Sequence, residues 1–381
     1  MMRQIRELLP LLAAILLPAC ATMRTPPPQL SAPEAAADSS AAARPEADSL
    51  ASAPPAPSGP SRVTIAAVGD IMMGSCYPEP RLPPEDGRRL FQDCQGILSA
   101  ADLAFGNLEG PLCDQGQPAK LAKSGRAYVF RTPTSFAANL AGAGFDLVSL
   151  ANNHANDFGP QGSASTRQAL EKEGIAYSGK DGSLAVFDLG GLSVALIALS
   201  SGGPPRSVVY PEGALREIDS LARVYDLLLV SVHGGAEGKG ALHIKEGPES
   251  YLGEPRGDLV KFARQAVERG ADLIIGHGPH VPRALEVHQG RLIAYSLGNF
   301  CTYGGMNLSG ESGLAPLLWA ELAPDGRLLD FWIHSFIQHR PGGPLADPQD
   351  GAVRLMERLS REDFPFSHPY RPPWREDAGA R

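Results

Sequence analysis

The sequence predicts an α/β fold in which two sheets pack face to face with helices outside. Three observations carry this. Several runs are apolar at consecutive positions, as in strands buried on both faces, rather than alternating. The first half of the chain interleaves such runs with amphipathic segments, as βα units do. Hairpin signals then accumulate in the second half.

The first strand is VTIAAV, residues 63–68, ending at Gly69 and Asp70. A helix is expected over 88–100, then a strand over 102–105 and a turn at Asn107, Leu108 and Glu109. Phe136, Leu140 and Ala143 fall at helical spacing within 133–143, and Gly144 stops that helix. The strand 145–150 leads to Ala151, Asn152, Asn153 and His154. The next helix, 162–174, closes on Gly174. Runs 184–189 and 192–199, joined through Gly190 and Gly191, read as a hairpin and mark a second, partly antiparallel sheet. The run 226–232 ends at His233. Helix 257–270 places Leu259, Phe262, Ala263 and Val267 inside and Lys261, Arg264 and Arg269 outside. Strand 272–275 ends at Gly276 and His277. Two hairpins follow, 284–288 with 292–295 and 314–322 with 329–336, turned at Gln289-Gly290 and Asp325-Gly326.

The domain organisation reads as four segments. In residues 1–20, Arg3 and Arg6 precede the apolar stretch LLPLLAAILLPAC, which is short for a membrane span and has the layout of a secretory signal. Leu17, Pro18, Ala19 and Cys20 resemble a lipobox, which makes Cys20 the lipidation site; an ordinary signal cleaved near Ala19 or Ala21 is the alternative. A lipidated N-terminal cysteine carries more than one acyl chain, enough for stable membrane attachment. Ala21 resembles the pattern of outer-membrane retention in Gram-negative cells, so the expected location is a lipid-anchored place in the cell envelope, facing the periplasm or the surface. Residues 21–61 are rich in Pro, Ala and Ser and read as a disordered tether, extended by up to ~3 Å per residue where polyproline-like. Residues 62–340 are the α/β domain. Residues 341–381 form a proline-rich tail with one amphipathic helix over 352–359, expected to wrap the domain.

The net charge of −8 comes with no basic block, which argues against nucleic acid as a partner. Beyond Cys20 there remain Cys76, Cys94, Cys113 and Cys301, an even number with no CxxC spacing. In an exported domain that permits two disulfides. A Cys76–Cys301 bond and free thiols both stay open.

The strand ends carry the chemistry. Asp70 and Glu109 offer anionic oxygens, Asn153 a neutral carbonyl oxygen, and His154, His233, His277 and His280 imidazole nitrogens. This mixed set suits a divalent transition metal such as Mn, Zn or Fe. It exceeds what one tetrahedral ion needs, and two ions ~3.5–4 Å apart would use it all. Singly, each residue also reads as a helix cap, a turn residue or a core residue; jointly, so many ligand types on strand ends define a site. Glu237, Glu254 and Arg256 lie in glycine-rich loops near His233. Arg256 would either clamp a substrate phosphate or carboxylate or form a loop ion pair. Asp157 is placed to orient His154, and Asn299 either lines the site or caps a turn.

The motifs GDIMMGS, GNLEGPL, SLANNHANDFG, VSVHGGAE, IIGHGPHVPRALE and IAYSLGNF, in this order, resemble the CapA (poly-γ-glutamate capsule synthesis) family. That family belongs to the calcineurin-like metallophosphoesterase superfamily. The resemblance spans about residues 63–300 and implies a four-layer α/β/β/α sandwich. It implies Asp70, Asn153, His233, His277 and His280 as metal ligands, with His154 protonating the leaving group or steadying the transition state. Three positions depart from the superfamily pattern. Met72 stands where the first motif has a histidine, Glu109 replaces the bridging aspartate, and two residues rather than one separate His277 from His280. Loss of an imidazole at Met72 implies a weakened second metal position. The expected function is a metal-dependent hydrolase of a phosphoester or related bond, linked to synthesis or processing of a capsule-type exopolymer. A non-catalytic assembly, export or anchoring factor on the same fold is the alternative.

Overall fold

The computed structural model describes residues 59–119 and 128–370, all within the unit Pro55–Arg381. The signal segment, Cys20 and nearly all of the tether lie outside the described residues.

The strands, in chain order, are β1 (Val63–Met72), β2 (Leu103–Leu108), β3 (Leu147–Ser149), β4 (Ala176–Ser178), β5 (Ala185–Asp188), β6 (Ser193–Ser200), β7 (Leu227–His233), β8 (Glu249–Tyr251), β9 (Glu254–Gly257), β10 (Leu273–His277), β11 (Leu285–His288), β12 (Arg291–Ala294), β13 (Asn299–Thr302), β14 (Leu314–Leu322), β15 (Leu328–Gln338) and β16 (Pro344–Ala346). The helices are α1 (Gln95–Leu98), α2 (Ala137–Ala143), α3 (Gly159–Lys172), α4 (Glu212–Leu221), α5 (Leu259–Glu268) and α6 (Gly351–Asp363). One sheet runs β16-β15-β14-β1-β2-β3-β4, with β13 also paired to β1, and the other runs β11-β12-β10-β7-β6-β5. Strands β8 and β9 make a separate ribbon. The β1 to β4 pairings are parallel, as are β6-β7, β7-β10 and β10-β12. The hairpins β5-β6 and β11-β12 close the second sheet with antiparallel edges, as expected. Gln289 and Gly290 both take positive φ at the β11-β12 turn, the geometry that matches strand twist in a tight hairpin.

Both faces of the central strands are buried, and each face has a different partner. Ile65 and Ala67 of β1 share a core with Leu196, Leu229 and Ile275 of the other sheet. The intervening Ala66 and Val68 pack with Leu98, Leu140 and Leu170 of α1, α2 and α3. Ile197, Val230 and Ile274 of the second sheet meet Leu215, Ile218 and Phe262 of α4 and α5, and Leu359 of α6. This double burial is why the strands read as continuous apolar runs.

Several boundaries differ from expectation. Strand β1 continues through Asp70 to Met72 because β13 offers a further parallel partner, with Asp70 opposite Asn299. The register shifts between Asp70 and Ile71 there. Strand β2 likewise extends through Asn107, which pairs with Asp70 rather than serving a turn. Of the helix expected over 88–100, only α1 forms. Residues before it are joined by short-range bonds, Leu90 N–H to Gly87 O and Cys94 N–H to Phe91 O, both 3.0 Å. Phe91, Cys94 and Leu98 are still buried; their spacing of three and four residues suits short 3₁₀-type turns as well as a helix. The four described cysteines are free thiols, which overturns the Cys76–Cys301 bond. Cys301 lies in the core opposite Ile71, whereas the Cys76 sulfur faces Arg131, 3.3 Å from its Nε. After Pro341, β16 adds to β15 and α6 sends Met356 into the inter-sheet core. No helix among the described residues is long and apolar enough to cross a membrane.

Gly69, beside Asp70, is a close-approach position: a Cβ there would overlap the Gly298 carbonyl oxygen and lie 2.5 Å from that of Leu297. Backbone atoms cannot yield cheaply. Gly69→Ala is therefore expected to lower the unfolding free energy by about 3 kcal/mol in urea denaturation; a change below about 0.5 kcal/mol contradicts this packing.

Candidate metal centre

The strand ends meet at one rim, where the two sheets bring their polar residues together. Asp70 is fully buried. Its Oδ1 accepts from Asn107 Nδ2 at 2.8 Å, and its Oδ2 lies 3.0 Å from His280 Nδ1. Its backbone N–H donates to Gly298 O, which fixes the strand end. Glu109 is also fully buried, two residues beyond Asn107, and its N–H donates to Ile71 O. Its Oε1 lies 3.9 Å from His233 Nε2 and 3.8 Å from His280 Nε2. His233 and His277 are register partners on β7 and β10, so one parallel pair delivers both rings to the rim. His277 Nδ1 lies 3.7 Å from Asp70 Oδ1.

His280 has a φ of 55°, a left-handed backbone that a non-glycine residue holds only when its surroundings enforce it. Asn299 is the enforcing group. Its Nδ2 donates to the carbonyl oxygens of His280 and Ser312, and its Oδ1 sits 3.1 Å from His280 Nδ1. The Asn299 side chain thus sits against His280.

One ligand atom each from Asp70, Glu109 and His233 lie within 4.8 Å of one another. These three residues can coordinate one divalent ion. Both oxygens of Glu109 and both ring nitrogens of His277 are buried with no hydrogen-bond partner among the described residues. Leaving such groups unpaired costs about 1–3 kcal/mol each, more when charged, and a cation would satisfy them. The donor chemistry also fits. Burial pushes His233 down to about 3 and His277 down to about 4, so both are neutral near pH 7 with lone pairs available. Burial and the adjacent Asp70 charge raise Glu109 well above the usual carboxylate range. Burial opposes charge on His280 too, but Glu109 and the bond to Asp70 outweigh it and hold its pKa up at about 10.

His154 stands beside this cluster. Its Nδ1 is 2.8 Å from Asp157 Oδ2, and its ring lies against Phe130 with centroids 4.5 Å apart. Asp157 is fixed in turn by the Phe130 N–H. Asn153, next to His154, is exposed. Arg256 is engaged by Glu237 at 3.0 Å and Glu254 at 3.4 Å, and its guanidinium stacks over Tyr251; the loop ion pair is the alternative that forms. Met72 is buried, and its methyl group lies against Gly305 together with the Phe130 ring. An apolar niche replaces the imidazole of the related motif.

Two asparagines were absent from the expected ligand set. Asn107 links Asp70, His233 Nδ1 at 3.4 Å and, through its Oδ1, the Nδ2 of Asn152. Asn152 also donates to Leu108 O and accepts from the His154 N–H, so it ties the histidine loop to β2. The strand-end pattern that singled out Glu109 also covers Asn107.

The chain matches the family model for the bacterial capsule synthesis protein PGA_cap over residues 64–303. It belongs to that family. The PGA biosynthesis protein CapA of Bacillus subtilis is 29% identical over 269 residues, covering 66% of each chain. The capsule biosynthesis protein CapA of Bacillus anthracis is 28% identical over 274 residues, covering 66% of this chain and 63% of that one. The aligned region thus spans just under two thirds of these curated relatives. Among solved structures, the 5′-nucleotidase precursor of Thermus thermophilus overlaps with a TM-score of 0.39 at 15% identity, covering 79% of this chain and 59% of that chain. The NAD nucleotidase of Haemophilus influenzae overlaps at 0.37 and 14%, covering 78% and 56%. Overlaps this loose assign no activity.

Two outcomes follow from this geometry. Asn107→Ala should weaken divalent-metal affinity by about 10- to 100-fold, as loss of a group that orients ligands does; unchanged affinity in a metal titration contradicts its role. Protons favoured by the raised pKa values of Glu109 and His280 compete with a cation, so affinity should rise from pH 6 to pH 8 with proton release. Calorimetry in buffers of different ionisation enthalpy reads this directly, and pH-independent binding contradicts it.

Proposed function

We propose that this chain is a metal-dependent hydrolase of the cell envelope. It acts on a phosphoester or related bond during synthesis or processing of a capsule-type anionic polymer of the poly-γ-glutamate kind. The observation that carries the reading is the buried Asp70, Glu109 and His233 cluster, flanked by His277 and His280, with donor atoms that no protein group satisfies. A second ion on a wider donor set that includes Asn153 is part of this proposal and rests on the family resemblance; imidazole mixed with carboxylate favours Mn, Zn or Fe. The separate cores between and outside the sheets support the four-layer α/β/β/α arrangement. Attachment through Cys20, with the outer membrane as its site, rests on the leader sequence.

A divalent ion bound here would polarise a substrate oxygen and make hydroxide available near neutral pH. The chain's own residues do the rest. Asp157 holds His154 through Nδ1, so Nε2 is the atom placed to exchange a proton with the leaving group. Asn299 and Asn107 keep His280, Asp70 and His233 aimed at one point. Glu237, whose charge is felt at both Glu109 and His280, and its partner Arg256 form the adjoining wall against which substrate would lie.

Met72 favours a second reading. Its thioether packs in an apolar niche and brings no ligand, which fits a non-catalytic factor for polymer assembly, export or anchoring. Metal analysis of the purified domain, coupled to a panel of phosphoesters and envelope polymers, separates the two. The hydrolase reading predicts bound transition metal and turnover that Asp70→Ala and His280→Ala each abolish, by about 10³-fold or more, without loss of fold. Metal-free protein with no turnover on the panel contradicts it.

A further inference from the structure

A second cleft, of about 270 Å³, opens beside the metal centre. Asn152, Asn156, Ser163, Arg167, Lys180 and Asp181 supply its polar lining. Asn152 connects the two sites directly, because its amide donates to Asn107, which donates to Asp70.

The charges in this cleft are unevenly compensated. Arg167 is paired with Asp181 at 3.1 Å, and Asp181 also accepts from Ser183. Lys180 is half-buried, and among the described residues no carboxylate comes within ion-pair reach of its ammonium. Burial alone perturbs it, lowering its pKa. Its position depends on a glycine: a Cβ on Gly202 would lie 2.5 Å from Lys180 Nζ. Pro160 and Ser163, from the first turn of α3, line the same cleft.

We propose that this cleft is an anion-binding subsite in which Lys180 takes a carboxylate or phosphate group of the substrate. The placement rests on reading the adjacent centre as the reacting site. It gives an acidic chain a local cation with which to seat a polyanion.

The test is calorimetric binding of inorganic phosphate and of glutarate to the purified protein and three variants, with metal content measured in each. Phosphate stands for one source of the anion and glutarate for the other. Lys180→Gln should weaken binding of whichever probe the wild type takes by about tenfold or more. Gly202→Ala should do the same while keeping the charge, because it displaces the flexible end of Lys180. Lys180→Arg should stay close to wild type. Unchanged binding in Lys180→Gln, or no saturable binding of either probe by the wild type, overturns the proposal. Metal content is expected to be equal throughout. A protein without metal would defeat the reading of the centre but leave the anion comparison measurable, so the two failures are distinct.

Discussion

Two buried carboxylates with too few partners are the constraint on which the rest of this structure depends. Asp70 and Glu109 sit on neighbouring strands, both shut off from solvent, and the charge on one raises the pKa of the other. Buried charge is destabilising unless paired and hydrogen-bonded, by several kcal/mol per ion. The protein offers Asp70 an asparagine amide, one histidine at 3.0 Å and a second at 3.7 Å, and offers Glu109 only histidines at nearly 4 Å. A cation among these groups relieves the repulsion, occupies the orphaned oxygens and converts a destabilising cluster into a binding site.

The architecture explains how such a cluster is held. Asp70 and Glu109 come from the first sheet and His233 and His277 from the second, so the centre bridges the rim where the sheets meet. The backbone comes close there. Gly276, immediately before His277, has no room for a Cβ against the Tyr295 carbonyl, and Gly69 plays the same part before Asp70. The bonds of Asn299 to the His280 and Ser312 carbonyls, with its Oδ1 near the His280 ring, stabilise a backbone conformation His280 would not otherwise adopt. Position, more than residue type, separates these histidines from His243 and His288, which sit at the periphery, 2.7 Å from Asp363 and 3.2 Å from Glu268.

Much of this was legible in the chain. Doubly buried strands announce themselves as unbroken apolar runs, and polar residues at their ends mark a rim. What the pattern could not show was pairing that depends on distant segments. β13 extends β1 past Asp70, and β2 runs on to Leu108, so Asn107 became a strand residue bonded to a ligand instead of a turn. The stretch before α1 kept its buried Phe91 and Cys94 while abandoning the helix, because side-chain spacing does not distinguish a helix from successive tight turns. The thiol pairing failed for a similar reason: nearness to site strands in sequence put Cys76 and Cys301 in different surroundings. Lys180 left no motif at all. Its interest comes from what the fold withholds, a carboxylate partner.

Whether Asp70, Glu109 and His233 bind a divalent ion at the rim is read out by anomalous diffraction from crystals soaked in manganese. A peak is expected within about 2.0–2.3 Å of ligand atoms from all three residues, lost in Glu109→Ala crystals. A peak only at surface carboxylates, or none at the rim under saturating manganese, would contradict that binding.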